Sequence, residues 1–134
     1  GPSTASLLSP SSRRTDVKVI AKPLAGIRVL DLSRVLAGPW ATQLLADLGA
    51  EVIKVEPPEG DPHRGWGARV NGHAVWFSIH GRNKLCVSLD LKSEEGRRKV
   101  LALAGRADAL IENFRPGYLE RIGLGPGVLH AANP

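Results

Sequence analysis

Several residue types are scarce in this sequence of 134 residues, and each absence excludes a class of protein. There is no methionine and a single cysteine, Cys86, so neither a disulfide framework nor a cysteine-rich metal centre can form within the chain. Aromatic residues make up 4% of the chain, and no basic stripe alternates with them, which argues against a nucleic-acid surface. No apolar run approaches the roughly 18 residues that a membrane-spanning helix needs. We predict no metal, no nucleic-acid partner and no membrane contact.

What is present is the composition of a globular domain. Hydrophobic residues make up 43% of the chain and charged residues 23%, and the length suits one compact domain. The formal net charge is +5, and residues 1–22 hold four of the 18 basic side chains but one of the 13 acidic ones. Cys86 lies in an apolar run with no histidine or cation directly beside it, which predicts a buried thiol in a strand. We expect a cytoplasmic protein, or one of the mitochondrial matrix in a eukaryote.

Residues 1–22 are predicted to be a tag remnant and flexible linker. Gly1-Pro2-Ser3 is typical of the scar that a protease leaves on removing a tag. The stretch that follows, to Arg14, is rich in serine and poor in acids, so it buries too little apolar surface to order itself. A sorting peptide is the alternative, although proline would break its amphipathic helix. The domain itself is expected over residues 23–134.

From residue 24 the sequence alternates between strand and helix patterns. Short apolar, β-branched runs predict strands at 27–32, 51–56, 85–91 and 109–112. Capped or amphipathic segments predict helices at 40–48, 94–105, 117–122 and 126–131, with a helical turn at 74–80 and a loop at 57–73. The predicted fold is α/β, with a Rossmann-like parallel sheet and flanking helices. Ligands of such sheets bind beyond the carboxyl ends of the strands.

Two predicted loops at that edge carry residues suited to an anionic ligand. Ala37-Gly38-Pro39 opens a helix, with Pro39 expected at its first position, and presents free N–H groups; a plain tight connection is the alternative. Asn113-Phe114-Arg115 joins an amide, a ring and a guanidinium, a combination that suits a purine nucleotide or, equally, a turn with a buried ring. The Gly-rich dinucleotide fingerprint and the P-loop are both absent.

Four groups of residues, taken in order, resemble a known family. They are 23–31 (PLAGIRVLD); 35–39 (VLAGP) with 45–56 (LADLGAEVIKVE); 82–84 (RNK) with 88–92 (SLDLK); and 107–108 (AD) with 111–117 (IENFRPG) and 123–125 (GLG). Together they resemble the class III CoA transferases, the family that includes formyl-CoA and carnitine CoA transferases and α-methylacyl-CoA racemase. The resemblance covers nearly all of residues 23–134.

The resemblance implies that CoA or acyl-CoA is the partner, and it assigns residues to the CoA site. These are Leu36 and Ala37 at the first turn, Leu89 and Lys92 around the adenine and its phosphates, Asn113, Phe114 and Arg115 at the adenosine and pyrophosphate, and Arg121 one turn further on. Arg34 stands where family members place a residue that faces the acyl end. Pro57 replaces an adenine-contacting arginine of some relatives, so that contact would pass to His63 or Arg64, or be lost. For both residues, a solvated loop side chain is the alternative.

The family's nucleophile is an aspartate that forms acyl-anhydride and CoA-thioester intermediates, and the resemblance places it beyond Pro134. The aspartates that do not match it are Asp31, Asp47, Asp61, Asp90 and Asp108. We therefore assign no catalytic residue and expect the N-terminal, CoA-binding part of a CoA transferase, incomplete as a fold and inactive alone. Two alternatives are part of an acyl-CoA racemase, which would use an acid/base pair, and a non-catalytic CoA-recognition or assembly module. Because family subunits form interlocked dimers, a homodimer or other self-association is expected.

Overall fold

The computed structural model describes residues 21–134, so most of the predicted linker at 1–22 lies outside the described residues. The elements in chain order are β1 (Arg28–Asp31), α1 (Ala37–Asp47), β2 (Glu51–Glu56), a 3-10 helix (Pro62–Gly65), β3 (Arg69–Val70), β4 (His73–Ala74), α2 (Val75–Gly81), β5 (Lys84–Ser88), α3 (Glu94–Ala104), β6 (Ala109–Ile111), α4 (Tyr118–Arg121) and α5 (Pro126–Ala132). The main sheet has the order β5-β2-β1-β6, and every pair in it is parallel. This confirms the predicted Rossmann-like α/β fold. No helix in the described part of the chain has the length and apolar character that a bilayer crossing requires.

β1 lies inside the sheet, and its side chains from Val29 to Asp31 are buried. Val29 belongs to one apolar cluster with Ala46 of α1, whereas Leu30 belongs to another with Val100 of α3. Apolar runs of this kind are typical of parallel strands that helices cover on both sides. The four parallel strands end at one edge of the sheet, from which the β1–α1 loop and the segment 112–117 leave.

The prediction of a plain loop over residues 57–73 is wrong. This segment contains the 3-10 helix and the first part of the antiparallel β3–β4 hairpin. Asn71 and Gly72 occupy the turn of the hairpin, with φ of 50° and 81°. A two-residue type I′ turn needs positive φ at both positions, and Asn-Gly is a favoured pair for it. That dipeptide was a signal in the sequence for the hairpin.

Two predicted boundaries differ by more than one residue, and one predicted cap is present. α1 begins at Ala37, earlier than predicted, so Pro39 is the third helical residue and not the first. The proline loses no hydrogen bond there, because the first N–H groups of a helix have no acceptor within it. β5 ends at Ser88, earlier than predicted. Ser93 caps α3 as predicted, since its hydroxyl accepts from the Gly96 N–H at 2.9 Å.

Cys86 is exposed, so the predicted buried thiol is wrong. The sheet order places β5 at an edge, where it pairs with β2 alone among the described strands. Its neighbour Leu85 is also exposed, at 60%. The apolar pattern of β5 resembles that of a central strand, and only the order of the strands shows that it lies at the edge.

We expect Gly96→Ala to destabilise the chain. A Cβ at this position would lie 1.9 Å from the carbonyl oxygen of Asp90, which is a backbone atom, so the turn before α3 would have to move. The expected loss in the free energy of unfolding is about 1–3 kcal/mol, as for other overpacked sites, and urea denaturation measures it. Gly127→Ala in α5 is the control, because a Cβ there meets nothing within 4 Å. Equal stabilities of the two variants would contradict the expectation.

Candidate functional site

Asn113 joins the end of β6 to the β1–α1 loop. Its Oδ1 accepts from the Arg34 N–H at 2.8 Å, and its Nδ2 donates to the Arg34 carbonyl at 2.9 Å. One side-chain amide thus satisfies both backbone groups of a loop residue. A Cβ built on Gly38 would lie 3.6 Å from Asn113 Cγ, so the start of α1 is adjacent. The structure therefore brings the predicted Asn113 and the predicted turn at Ala37 together.

A row of two rings between two cations continues from Arg34 across this edge. The Arg34 guanidinium carbon lies 5.1 Å from the centroid of the Phe114 ring, and the Phe114 and Tyr118 centroids are 4.7 Å apart. The Arg121 guanidinium carbon lies 6.0 Å from the Tyr118 centroid. The two distances from a guanidinium carbon to a ring centroid lie within or at the limit of the range for cation–π contact. We call Arg34, Phe114, Tyr118 and Arg121 the cation–ring row; Tyr118 was not predicted, although its four-residue spacing from Phe114 was visible in the sequence.

The other predicted CoA residues lie at the same edge but are more dispersed. Leu36 and Ala37 are exposed where α1 begins, and Arg115 is exposed beside the cation–ring row. Leu89 and Lys92 follow β5, which β2 and β1 separate from β6. Leu89 is half-buried against the apolar cluster that also contacts Phe114, whereas the Lys92 side chain is exposed.

The β1–α1 loop is strained and is held by contacts from several elements. Val35 has φ of 67°, a conformation that β-branched residues rarely adopt. Its N–H faces Asp61 Oδ1 at 3.4 Å, and the preceding Ser33 carbonyl accepts from Lys54 Nζ at 2.9 Å. Lys54 Nζ also lies 2.9 Å from Asp61 Oδ2 as a buried ion pair, although their alignment is not that of a hydrogen bond. Strained backbone of this kind clusters at functional sites.

A second buried ion pair, between Asp31 and Lys84, lies beneath α1. Both side chains are fully buried, and Lys84 Nζ lies 3.2 Å from Asp31 Oδ2. Asp31 also accepts from the Ser33 N–H at 2.9 Å and from Thr42 Oγ1 at 2.5 Å. Lys84 Nζ donates further to the Pro39 carbonyl at 2.8 Å and to Thr42 Oγ1 at 2.6 Å. Burial lowers the pKa of Lys84, and the Asp31 carboxylate opposes that shift.

His63 and Arg64, the predicted substitutes for the arginine missing at Pro57, both lie in the 3-10 helix. His63 is buried, with its ring 5.3 Å from that of His80 and 6.2 Å from that of Trp76. Burial is the main cause that lowers the pKa of His80, and His63 adds to the shift. His63 is therefore not a solvated loop side chain.

Arg64 is engaged by Glu56 at the end of β2. Its Nε and Nη2 donate to the two carboxylate oxygens at 2.6 Å and 2.7 Å. Burial alone would raise the pKa of Glu56, but the hydrogen bonds from Arg64 and from the Asp61 N–H outweigh it and lower the pKa to about 2. The Arg64 guanidinium also lies 3.7 Å from the centroid of the Phe77 ring. Its position is fixed by these contacts.

Parallel strands whose loops gather at one carboxyl edge define this chain as a Rossmann-like α/β domain. The chain belongs to CoA-transferase family III, whose family model matches residues 24–134. This confirms the predicted resemblance.

Among its relatives, the chain is 52% identical over 115 residues to the succinyl-CoA–D-citramalate CoA-transferase of Chloroflexus aurantiacus, with 84% of this chain and 29% of that protein covered. It is 51% identical over 106 residues to the succinyl-CoA:glutarate CoA-transferase of Mus musculus, with 78% of this chain and 24% of that protein covered. A CAIB/BAIF family protein from Brucella suis has a similar structure, with a TM-score of 0.80, 47% identity, and coverage of 86% of this chain and 32% of that one. The chain thus spans about a third or less of the length of these relatives.

We expect Asp31→Asn to destabilise the fold strongly. The substitution leaves the buried Lys84 ammonium without its counter-charge, and breaking a buried pair from one side typically costs about 3–5 kcal/mol. Urea denaturation gives the free energy of unfolding. Glu95→Gln is the control, because it breaks the Lys99–Glu95 pair in α3, whose exposed charges are expected to contribute little to stability. A loss for Asp31→Asn no larger than that for the control would refute the expected role of the buried pair.

Proposed function

We propose that this chain binds coenzyme A at the carboxyl edge of its sheet, as the CoA-binding part of a transferase that moves CoA from an acyl-CoA to a carboxylic acid. The observation that carries the proposal is the junction at Asn113. That side chain holds the β1–α1 loop against the end of β6 and so places the start of α1 next to the cation–ring row.

The charges at this junction suit the phosphates of CoA. Arg34 and Arg121 lie at the two ends of the cation–ring row. Arg115, which comes between them in the sequence, is exposed. The first turn of α1 has no side-chain cap, since Leu36 stands at the cap position. Uncapped N–H groups at the start of a helix, together with the helix dipole, favour a phosphate. The guanidinium groups and the start of α1 are therefore suited to binding a single polyanionic ligand.

Leu89 and Lys92 extend the proposed site along the edge. They follow β5, three strand spacings from β6, which corresponds to about 14 Å. CoA is a long, flexible molecule, so its adenine and phosphates can contact Leu89 and Lys92 while other phosphates contact Arg121. Pro57 offers no side-chain donor for the adenine, and Arg64 is engaged by Glu56. We therefore place the adenine contacts at Leu89 and not at residue 64.

The transfer chemistry requires a carboxylate nucleophile that forms an acyl anhydride and then a CoA thioester. We propose none of the described aspartates for this role, because each is engaged in local contacts. Asp31 and Asp61 are in buried ion pairs, Asp47 is paired with Arg82, Asp90 accepts from the Lys92 N–H, and Asp108 accepts from the Arg28 N–H. The relatives named for succinyl-CoA with citramalate or glutarate favour dicarboxylic acids as the substrate class of the whole protein.

Calorimetric titration of the chain with CoA tests the proposed site. We expect measurable binding that Arg121→Ala weakens by about 1.5–3 kcal/mol, because it removes a charge-assisted contact to a phosphate. Arg98→Ala, on the exposed side of α3, removes the same charge elsewhere and serves as the control. No heat and no change in amide NMR shifts at millimolar CoA would reject the proposal. An equal loss in both variants would also count against it, since it would show a dependence on net charge alone.

We also propose that the chain self-associates, most simply as a homodimer. The support is a stripe of apolar side chains at four-residue spacing along one side of α1 and its two cap residues, which are between 44% and 55% exposed. The stripe consists of Leu36, Trp40, Leu44 and Leu48. Contiguous exposed apolar patches are typical of interaction surfaces.

Light scattering tests the self-association. We expect a mass above that of one chain, and Leu44→Glu is expected to shift it toward the monomer because it places a charge in the apolar stripe. Val128→Glu on α5 is the control, since Val128 is exposed to a similar degree, at 43%, on another helix. A monodisperse monomer of the unaltered chain would overturn the proposal.

A further inference from the structure

A basic cavity lies beside α2, away from the proposed CoA site. Its volume is about 410 Å³, within the range of roughly 300–1,000 Å³ that small-molecule sites occupy. Its lining includes Arg64, Arg69, His73, Phe77, Ser78 and Arg82. None of the residues that line it is acidic, and none belongs to the proposed CoA site.

Of the three arginines that line the cavity, Arg69 has no carboxylate partner among the described residues. Arg64 is paired with Glu56, and Arg82 with Asp47. Arg69, by contrast, donates only to backbone carbonyls among the described residues: to Gly72 at 3.0 Å and to Arg64 at 3.4 Å. The cavity therefore has one full uncompensated charge, with two paired guanidinium groups beside it.

Arg69 is positioned before any ligand arrives. It lies on β3, and the tight Asn71-Gly72 turn brings the Gly72 carbonyl back to its guanidinium. Arg64, whose carbonyl Arg69 also contacts, is held by Glu56 and by the ring of Phe77. Groups held by such contacts lose less conformational entropy on binding, which improves affinity.

We propose that this cavity binds a small aliphatic carboxylate, with Arg69 as the contact for its charged group. A carboxylate carries one negative charge, which matches the single uncompensated charge, whereas a phosphate carries about 1.5–2 at neutral pH. The planar guanidinium fork also matches carboxylate geometry. Phe77 and Ala74 provide apolar surface for a short carbon chain. The inference does not depend on CoA binding, since the two sites share no residue.

Titration of the chain with butyrate, followed by amide NMR, tests the inference. We expect saturable shifts at Arg69, Gly72 and Ser78, and no such shifts with butyramide, which has nearly the same shape but no charge. Arg69→Gln is expected to weaken butyrate binding by about tenfold or more, because it removes the charge-assisted contact. Arg98→Gln removes an equal charge from α3 and is expected to change the affinity by less than about twofold.

Three outcomes would overturn the proposal. They are an absence of saturable shifts at the cavity, an equal loss in the Arg69→Gln and Arg98→Gln variants, and inorganic phosphate binding at the cavity as tightly as butyrate. If Arg69→Gln disturbs the hairpin, Arg69→Lys serves as a second variant, because it keeps the positive charge. The proposal requires that Arg69→Lys bind butyrate more tightly than Arg69→Gln. The titration with CoA is a separate measurement, so failure of either proposal is distinguishable from failure of the other.

Discussion

The buried Asp31–Lys84 ion pair is the contact on which the geometry of the carboxyl edge depends. It joins β1 to β5, two strands that are not neighbours, because β2 lies between them in the sheet. Thr42 and the Pro39 carbonyl bring α1 into the same network. Replacing a buried pair by apolar side chains often costs little, but breaking it from one side costs several kcal/mol. The pair therefore fixes where α1 begins over the sheet more than it adds to net stability.

The start of α1 matters because the strained β1–α1 loop leads into it. Three successive loop residues are held from different directions: Ser33 by Lys54, Arg34 by Asn113, and Val35 by Asp61. The positive φ of Val35 is costly for a β-branched residue and persists only where surrounding contacts hold it. These contacts fix the loop beside the cation–ring row. The same segment, 57–65, that contacts this loop through Asp61 leads into the hairpin that carries Arg69.

Much of the fold was predictable because its signals are local. Short β-branched runs marked the four strands of the sheet, and Ser93 marked the start of α3 through a hydrogen bond to a residue three positions away. The hairpin at Asn71-Gly72 was equally local, and the prediction missed it because the surrounding prolines and glycines favoured a loop. At the site, the resemblance named Asn113, Phe114 and Arg121, but not the Tyr118 ring that lies between the last two.

The alternation of strands and helices, the capping of α3 and membership of the family could all be recognised from the residues alone. Each depends on residues close together in the chain or on motifs in a fixed order. The order of the strands, and with it the exposure of Cys86 on an edge strand, became clear from the three-dimensional fold. The fold also showed that Lys84 meets Asp31 across 53 positions of sequence, within strands whose pattern looked apolar. The physical reason is that strand pairing and buried charge pairing join residues distant in sequence, and the two-residue periodicity of a strand is the same whichever neighbour it has.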